Sequence, residues 1–127
     1  MKVGLIGLGR MGEGMSRRMI NDDIEVYGYR RNYQKAKESE ERGYITRAID
    51  SLENLVKVVH YQDALVGNAP GIFQLVIPAE LVEDTINELL PLLGDGDIII
   101  DHGNSNFKDS RRRAERLSKY GIQYIDC

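Results

Sequence analysis

Short apolar runs alternate along this chain with longer segments whose apolar residues recur at helical spacing. The run Val3 to Ile6 is a strand and ends in a glycine-rich turn. Met11, Met15 and Met19, with Ile20 beside them, then mark one face of a helix from Arg10 to Ile20, a stripe expected to pack into the core. Ile24 to Tyr29 alternates as a second strand. Gln34 to Gly43 is rich in helix formers but has little apolar face, which places it at the periphery with Gly43 as its C-terminal cap. Tyr44 to Thr46 is expected as the third strand, and the phrase from Asp50 to Glu53 as a capping-box start for a helix running past Val58.

From His60 to Gly71 the pattern weakens into a connector. Ile72 to Pro78 restores it as a strand. Pro78, Ala79 and Glu80 open a helix carried by Leu81, Val82, Thr85, Ile86, Leu89 and Leu90, and Pro91 limits it. Asp97 to Asp101 is apolar through its middle, as expected of a central parallel strand buried on both faces. A helix from Phe107 to Tyr120, stopped by Gly121, leads to a last strand from Ile122 to Asp126.

Six alternations of strand and helix predict one domain over residues 1–127 with a doubly wound parallel α/β sheet, the Rossmann arrangement, in strand order 3-2-1-4-5-6. Ligands of such sheets bind in the crevice at the C-terminal strand ends. Four polar or glycine-rich segments fall there: the turn after strand one, Arg30 to Asn32 after strand two, Pro78 and Ala79 after strand four, and His102 to Asn106 after strand five.

Composition narrows the ligand. A chain with 42% hydrophobic and 29% charged residues is an ordinary globular one, and a net charge of -3 argues against a nucleic-acid partner. Cys127, the single cysteine, permits no intrachain disulfide and suggests a reducing compartment; with no apolar run of membrane-span length and no signal-peptide pattern, the expected location is cytoplasmic, away from any membrane. His60 and His102 are too far apart to suggest a local metal pair. Arg111, Arg112, Arg113 and Arg116 spread over more than one helix face among acids, which makes a solvated surface of them. Asp101 and His102 are adjacent at a strand end, so they point to opposite faces and do not cooperate as an acid–base pair.

The glycine turn supplies the chemistry. Gly7, Gly9 and Gly12 match GxGxxG between a strand and a helix, giving a tight turn, an approach for a pyrophosphate and a close helix–strand contact. In the NAD-binding version of this motif an acid at the end of the second strand accepts from the ribose 2'-hydroxyl. Here Arg30 and Arg31 stand there instead, suited to a 2'-phosphate, and Asn32 adds a neutral donor. NADP is therefore the expected cofactor.

GLGRMG, YRRN, VIPAE, the phrase GDIIIDHGNSNFKDSRRR and the closing GIQYIDC together resemble the coenzyme-binding domain of decarboxylating 6-phosphogluconate dehydrogenase, over nearly the whole chain apart from Val58 to Asn68. His102 departs from the resemblance, since the family commonly carries glycine there. The resemblance implies oxidation of 6-phosphogluconate by hydride transfer to NADP and decarboxylation to ribulose 5-phosphate, in the pentose phosphate pathway and gluconate utilisation. It also implies roles: Gly7, Leu8, Gly9, Arg10, Met11 and Gly12 on the pyrophosphate, Arg30, Arg31 and Asn32 on the 2'-phosphate, Ile77, Pro78 and Ala79 along the cofactor cleft, and Asn104 where cofactor and substrate meet. The family's serine-glycine-glycine loop, its lysine base, its glutamate acid and the helical domain that builds its homo-oligomer have no counterpart in this sequence, so no catalytic residue is assigned and no turnover is expected of this chain alone. A free-standing NADP-binding module, or the same domain of another β-hydroxyacid dehydrogenase, stays open beside it.

Overall fold

The computed structural model describes residues 1–103 and 105–127. Its elements are β1 (Lys2–Ile6), α1 (Arg10–Asn21), β2 (Glu25–Tyr29), α2 (Tyr33–Glu41), β3 (Arg47–Ile49), α3 (Leu52–His60), β4 (Tyr61–Asp63), β5 (Gly67–Asn68), β6 (Ile72–Leu75), α4 (Ala79–Leu89), β7 (Ile98–Asp101), α5 (Phe107–Ser118) and β8 (Gln123–Asp126). Six strands form a parallel sheet in the order β3-β2-β1-β6-β7-β8. With the separate β4–β5 hairpin set aside, that is the doubly wound order expected from the sequence. No helix among the described residues is long and apolar enough to cross a membrane.

One face of the sheet is packed across most of its width, and the other is packed over β1, β2 and β3 by a second cluster. On one side Phe73, Leu75, Ile99 and Tyr124 meet Leu55, Val56 and Val59 of α3, Val82, Ile86 and Leu89 of α4, and Leu117 of α5. On the other Leu5, Leu8 and Val26 meet Ala36 of α2, with Met19 and Ile20 of α1 alongside. Each fully buried leucine, isoleucine or phenylalanine contributes about 1.5–3 kcal/mol, so the two layers rather than helix propensity hold these short helices in place.

Several elements differ from their expected form. The methionine stripe of α1 is core only in part: Met19 and Ile20 are half-buried against the second cluster, but Met15 is half-buried, Met11 is 62% exposed, and the fully buried residues are Gly12 and Ser16. The small residues let the helix backbone lie close to the sheet, and Ser16 Oγ donates to the Tyr44 carbonyl at 2.5 Å, leaving the larger side chains to one side. The third strand is Arg47–Ile49 rather than Tyr44 to Thr46. Thr46 does reach β2: its N–H donates to the Val26 carbonyl at 2.9 Å, but the Val26 N–H is returned to Thr46 Oγ1 rather than to a backbone carbonyl, and the paired register begins at Arg47.

The cap of α3 is Ser51, whose side chain accepts from the Asn54 N–H at 3.0 Å; Glu53 pairs with Lys57 instead of reaching back to the cap. The connector from His60 to Gly71 holds the β4–β5 hairpin, with Asp63 Oδ1 accepting from the N–H groups of Leu65 and Val66 at its tip. Central strand β7 is buried on one face only: Ile99 is fully buried, while Ile98 and Ile100 are half-buried.

Candidate functional site

Three glycines shape the mouth of the sheet, each through a different contact. Gly7 sits at φ 105°, a left-handed conformation that disfavours side chains, and a Cβ there would collide with the Val76 carbonyl. A Cβ on Gly12 would collide with the carbonyl of Gly7, so this glycine is what lets α1 pack against the turn. Gly9 is the reverse case: a Cβ would meet nothing within 4 Å, because the position opens onto empty space.

Gly9 is also the N-cap of α1, and no side chain caps it. The first N–H groups of this helix therefore point, unpartnered by the helix itself, at the space Gly9 leaves open, with the positive end of the helix dipole behind them. That is the chemistry of a pyrophosphate cradle, and the residues present fit one.

On either side of the cradle the surface is hollowed. One depression, about 400 Å³, is lined by Gly7, Leu8 and Gly9, by Arg30, Arg31 and Asn32 after β2, and by Ile77 and Pro78. A second, about 530 Å³, is lined by Gly9, Arg10, Met11 and Gly12, by Ile77, Pro78 and Ala79, and by His102 and Gly103. They share Gly9, Val76, Ile77 and Pro78, so together they form one cleft crossing the C-terminal ends of β1 and β6, where strand order reverses. The structure thus brings twelve of the expected residues onto the walls of a single cleft. Asn104, also expected there, lies outside the described residues.

The two ends differ in charge. At the β2 end Arg30 is half-buried and its Nη1 reaches the Leu8 carbonyl at 3.5 Å, whereas Arg31 is exposed. The Asn32 side chain caps α2, with Oδ1 accepting from the Lys35 N–H at 3.2 Å, so only its amide NH₂ is left to donate. Asp84, Thr85 and Glu88 of α4 line this end too; the sequence reading missed them, although their spacing places them on one side of a helix that starts at the cleft.

The far end is held by Asp101, fully buried at the end of β7. Its Oδ1 accepts from the Gly103 N–H at 2.7 Å, and its Oδ2 from Ser105 Oγ at 3.2 Å and from the Tyr124 hydroxyl at 2.5 Å. Burial first, and then the bond to Asp101, push the Tyr124 phenol up to about 12. Arg113 joins the network, donating to Ser105 Oγ at 2.9 Å and to Glu83 at 2.7 Å, and that bond from Arg113 holds the Glu83 carboxyl below its usual range. Arg113 is only 6% exposed, so the arginine cluster is not wholly a solvated surface as expected. Asp101 and His102 do part to opposite sides: Asp101 binds Tyr124, and His102 Nε2 lies 2.7 Å from Gln74 Oε1.

A larger depression, about 1090 Å³, runs along α3 between residues such as Tyr33, Lys37, Arg47, His60 and Asn68. It contains neither the glycine turn nor the open end of α1, so its size alone does not make it the site. His60 at its margin is a structural histidine, with Nε2 at 2.9 Å from both carboxylate oxygens of Asp97.

Residues 2–127 match the family model described as the NAD binding domain of 6-phosphogluconate dehydrogenase. A decarboxylating 6-phosphogluconate dehydrogenase of Candida albicans is 39% identical over 127 residues, covering 97% of this chain and 23% of its own length. An NAD(+)-dependent decarboxylating 6-phosphogluconate dehydrogenase of Bacillus subtilis is 32% identical over 125 residues, covering 97% of this chain and 25% of its own. Among solved structures, Plasmodium falciparum 6-phosphogluconate dehydrogenase, described in its apo form, with NADP+ and with 6-phosphogluconate, superposes with a TM-score of 0.81 at 26% identity, over 98% of this chain and 26% of that one. The chain spans between 23% and 39% of the length of such curated relatives. With a family match over residues 2–127 and the glycine turn, the strand order and the cleft all in place, this chain belongs to the family of NAD-binding domains of 6-phosphogluconate dehydrogenase.

Proposed function

We propose that this chain is the coenzyme-binding part of an NADP-dependent, decarboxylating 6-phosphogluconate dehydrogenase. The observation that carries the cofactor choice is the end of β2, where Arg30 and Arg31 line the cleft and stand in the place of an acid that would accept from a ribose 2'-hydroxyl; the acids of this end, Asp84 and Glu88, come from α4. Relatives in this family include an NAD(+)-dependent one, so the choice rests on this chain's own residues. Arg31 supplies an exposed guanidinium for a 2'-phosphate, and Arg30, half-buried with its Nη1 3.5 Å from the Leu8 carbonyl, supplies a second beside the glycine turn.

A nicotinamide cofactor bound in the cleft supplies a hydride acceptor for an alcohol. The chain's own part is to bind and orient. The open end of α1 neutralises the pyrophosphate, Gly9 lets it approach, and Ile77, Pro78 and Ala79 wall the cleft beyond it. The Asp101 network fixes Gly103 and Ser105, which flank Asn104, the residue read as meeting both cofactor and substrate. Removing a proton from the substrate hydroxyl needs a base within hydrogen-bond reach, and in this reading the lysine base, the glutamate acid and the helical domain that dimerises lie outside the sequence in hand.

Fluorescence titration with NADPH and NADH tests the cofactor. NADPH is expected to bind at least about tenfold more tightly, a margin suited to charge-assisted bonds to one phosphate, and equal or tighter NADH binding defeats the reading. Arg31→Ala should remove most of that margin while leaving NADH almost untouched. Incubation with 6-phosphogluconate and NADP should give no turnover; robust turnover would place the catalytic groups within these residues.

A further inference from the structure

His102 is the one imidazole on the wall of the cleft, at the end away from Arg30 and Arg31. Its side chain continues the face of β7 that carries Ile98 and Ile100, and it meets Gln74 of β6 across the strand pair. Gln74 in turn places Nε2 at 3.4 Å from the sulfur of Met19 in α1. A thioether sulfur has lone pairs and no hydrogen to give, so the amide NH₂ belongs on the Met19 side and the amide oxygen on the His102 side. An amide oxygen only accepts. The His102 Nε2 at 2.7 Å must therefore carry the hydrogen, which in the neutral ring leaves Nδ1 as a bare acceptor. Among the described residues no group donates to Nδ1.

The wall around it is short of other acceptors on side chains. Among the described lining residues the glycines and apolar side chains offer none, Arg10 offers only donors and Met11 only a weak thioether acceptor, so Glu80 and His102 are the strong side-chain acceptors there. A dinucleotide whose pyrophosphate lies on the α1 N-terminus and whose adenosine half lies toward Arg30 and Arg31 extends its other half here. That half ends in a carboxamide, whose NH₂ is a donor in search of an acceptor.

We propose that His102 is a binding residue for the nicotinamide half of the cofactor, accepting at Nδ1 from its carboxamide, and that Gln74 is a positioning residue that sets the tautomer. This rests on the reading of the cleft as a nicotinamide dinucleotide site. The discriminating ligand pair is NADPH and 2',5'-ADP, which share the adenosine half and differ in the nicotinamide half.

Isothermal titration with both ligands provides the test. His102→Ala should raise the Kd for NADPH about fivefold, the worth of one neutral hydrogen bond, and leave that for 2',5'-ADP within about twofold. Asn at position 102, in His102→Asn, sets an amide oxygen where Nδ1 stands and should recover most of the loss. Gln74→Leu frees the ring and should weaken NADPH in the same selective way, to a smaller extent. Unchanged NADPH binding in His102→Ala overturns the assignment, and so does an equal loss for both ligands, which would make His102 a prop for the turn. If the wild-type chain binds neither NADPH nor NADH, the reading of the cleft itself fails and the assignment falls with it.

Discussion

At the residue scale the glycine motif separates into binding and folding roles that substitution can tell apart. A methyl group at Gly9 enters open space from an ordinary backbone conformation, whereas at Gly12 it meets the carbonyl of Gly7. Gly9→Ala should therefore keep the melting temperature within a degree or two, or gain slightly from helix-end entropy, while weakening NADPH by about tenfold or more through steric exclusion of the pyrophosphate. Gly12→Ala should destabilise the fold itself, by about 1–3 kcal/mol, as α1 is pushed off the turn. Thermal unfolding with and without NADPH distinguishes the two, and a Gly9→Ala protein that binds normally would mean that the phosphates lie elsewhere.

Tyr124 offers a second residue-scale test, because its hydroxyl donates to a fully buried carboxylate. Its phenol is raised to about 12, so the folded state holds that proton more tightly than the unfolded chain does. The contribution is complete below the ordinary tyrosine value near 10 and is lost as pH climbs from about 10 toward 12. Tyr124→Phe should cost about 1–3 kcal/mol at pH 7, since Asp101 then loses a donor, and its stability should fall less steeply than the wild type's across that alkaline window. Denaturant unfolding at pH 8, 10 and 11 measures the difference; parallel slopes would contradict the linkage.

At the element scale the loop between α3 and β6 is tied at its start by Lys2 Nζ, which donates to the Tyr61 carbonyl at 2.7 Å, and across its two ends by Asp97. Asp97, 1% exposed, accepts from the N–H groups of Gly71 and Gly94 at 2.8 Å and from His60 Nε2, so it joins the end of α3, the entry to β6 and the turn before β7. Asp97→Asn keeps the shape but turns one acceptor into a donor facing an N–H, and should cost about 3 kcal/mol. Amide exchange should rise first in β4 and β5, with the glycine turn keeping its protection; uniform loss across the sheet would argue against a local anchor. The sequence announced none of this, because Asp97 acts through partners such as His60, 37 residues away. Where local pattern and tertiary role agree, as in β1, β2, α4 and α5, elements were readable to within a residue or two. In α1 they part company. Methionines four apart mark a stripe, but Gly12 and Ser16, one position on, mark another, and close approach of backbone to sheet decided for the smaller pair. For the cleft, segments at strand ends were legible because topology delivers them there; Gln74, inside a strand, and the carboxylates of α4 carried no such signal.

At the scale of the whole molecule the two faces of the sheet are unequally covered, and this has a measurable result. The face of β6, β7 and β8 carrying Phe73, Leu75, Ile99 and Tyr124 is buried under helices. On the opposite face Ile72, Gln74, Ile98 and Ile100 are half-buried and Ile125 is 38% exposed, in register across the three strands. Met15 and Met19 of α1 border it, lining a depression of about 510 Å³ floored by Gln74. A folded protein with these partly exposed isoleucines in register beside Met15 and Met19 should bind anilinonaphthalene sulfonate in its native state, without the loss of cooperative unfolding that marks a molten globule. Ile98→Thr combined with Ile125→Thr keeps the β-branched shape of both side chains on their strands and should roughly halve the native-state emission. Neither residue lines the cofactor cleft, so NADPH affinity should be unaffected. Emission that persists in the double variant would place the apolar surface elsewhere, and a drop in NADPH affinity would mean that the open face and the cleft are coupled, with Gln74 and His102 the pair that joins them.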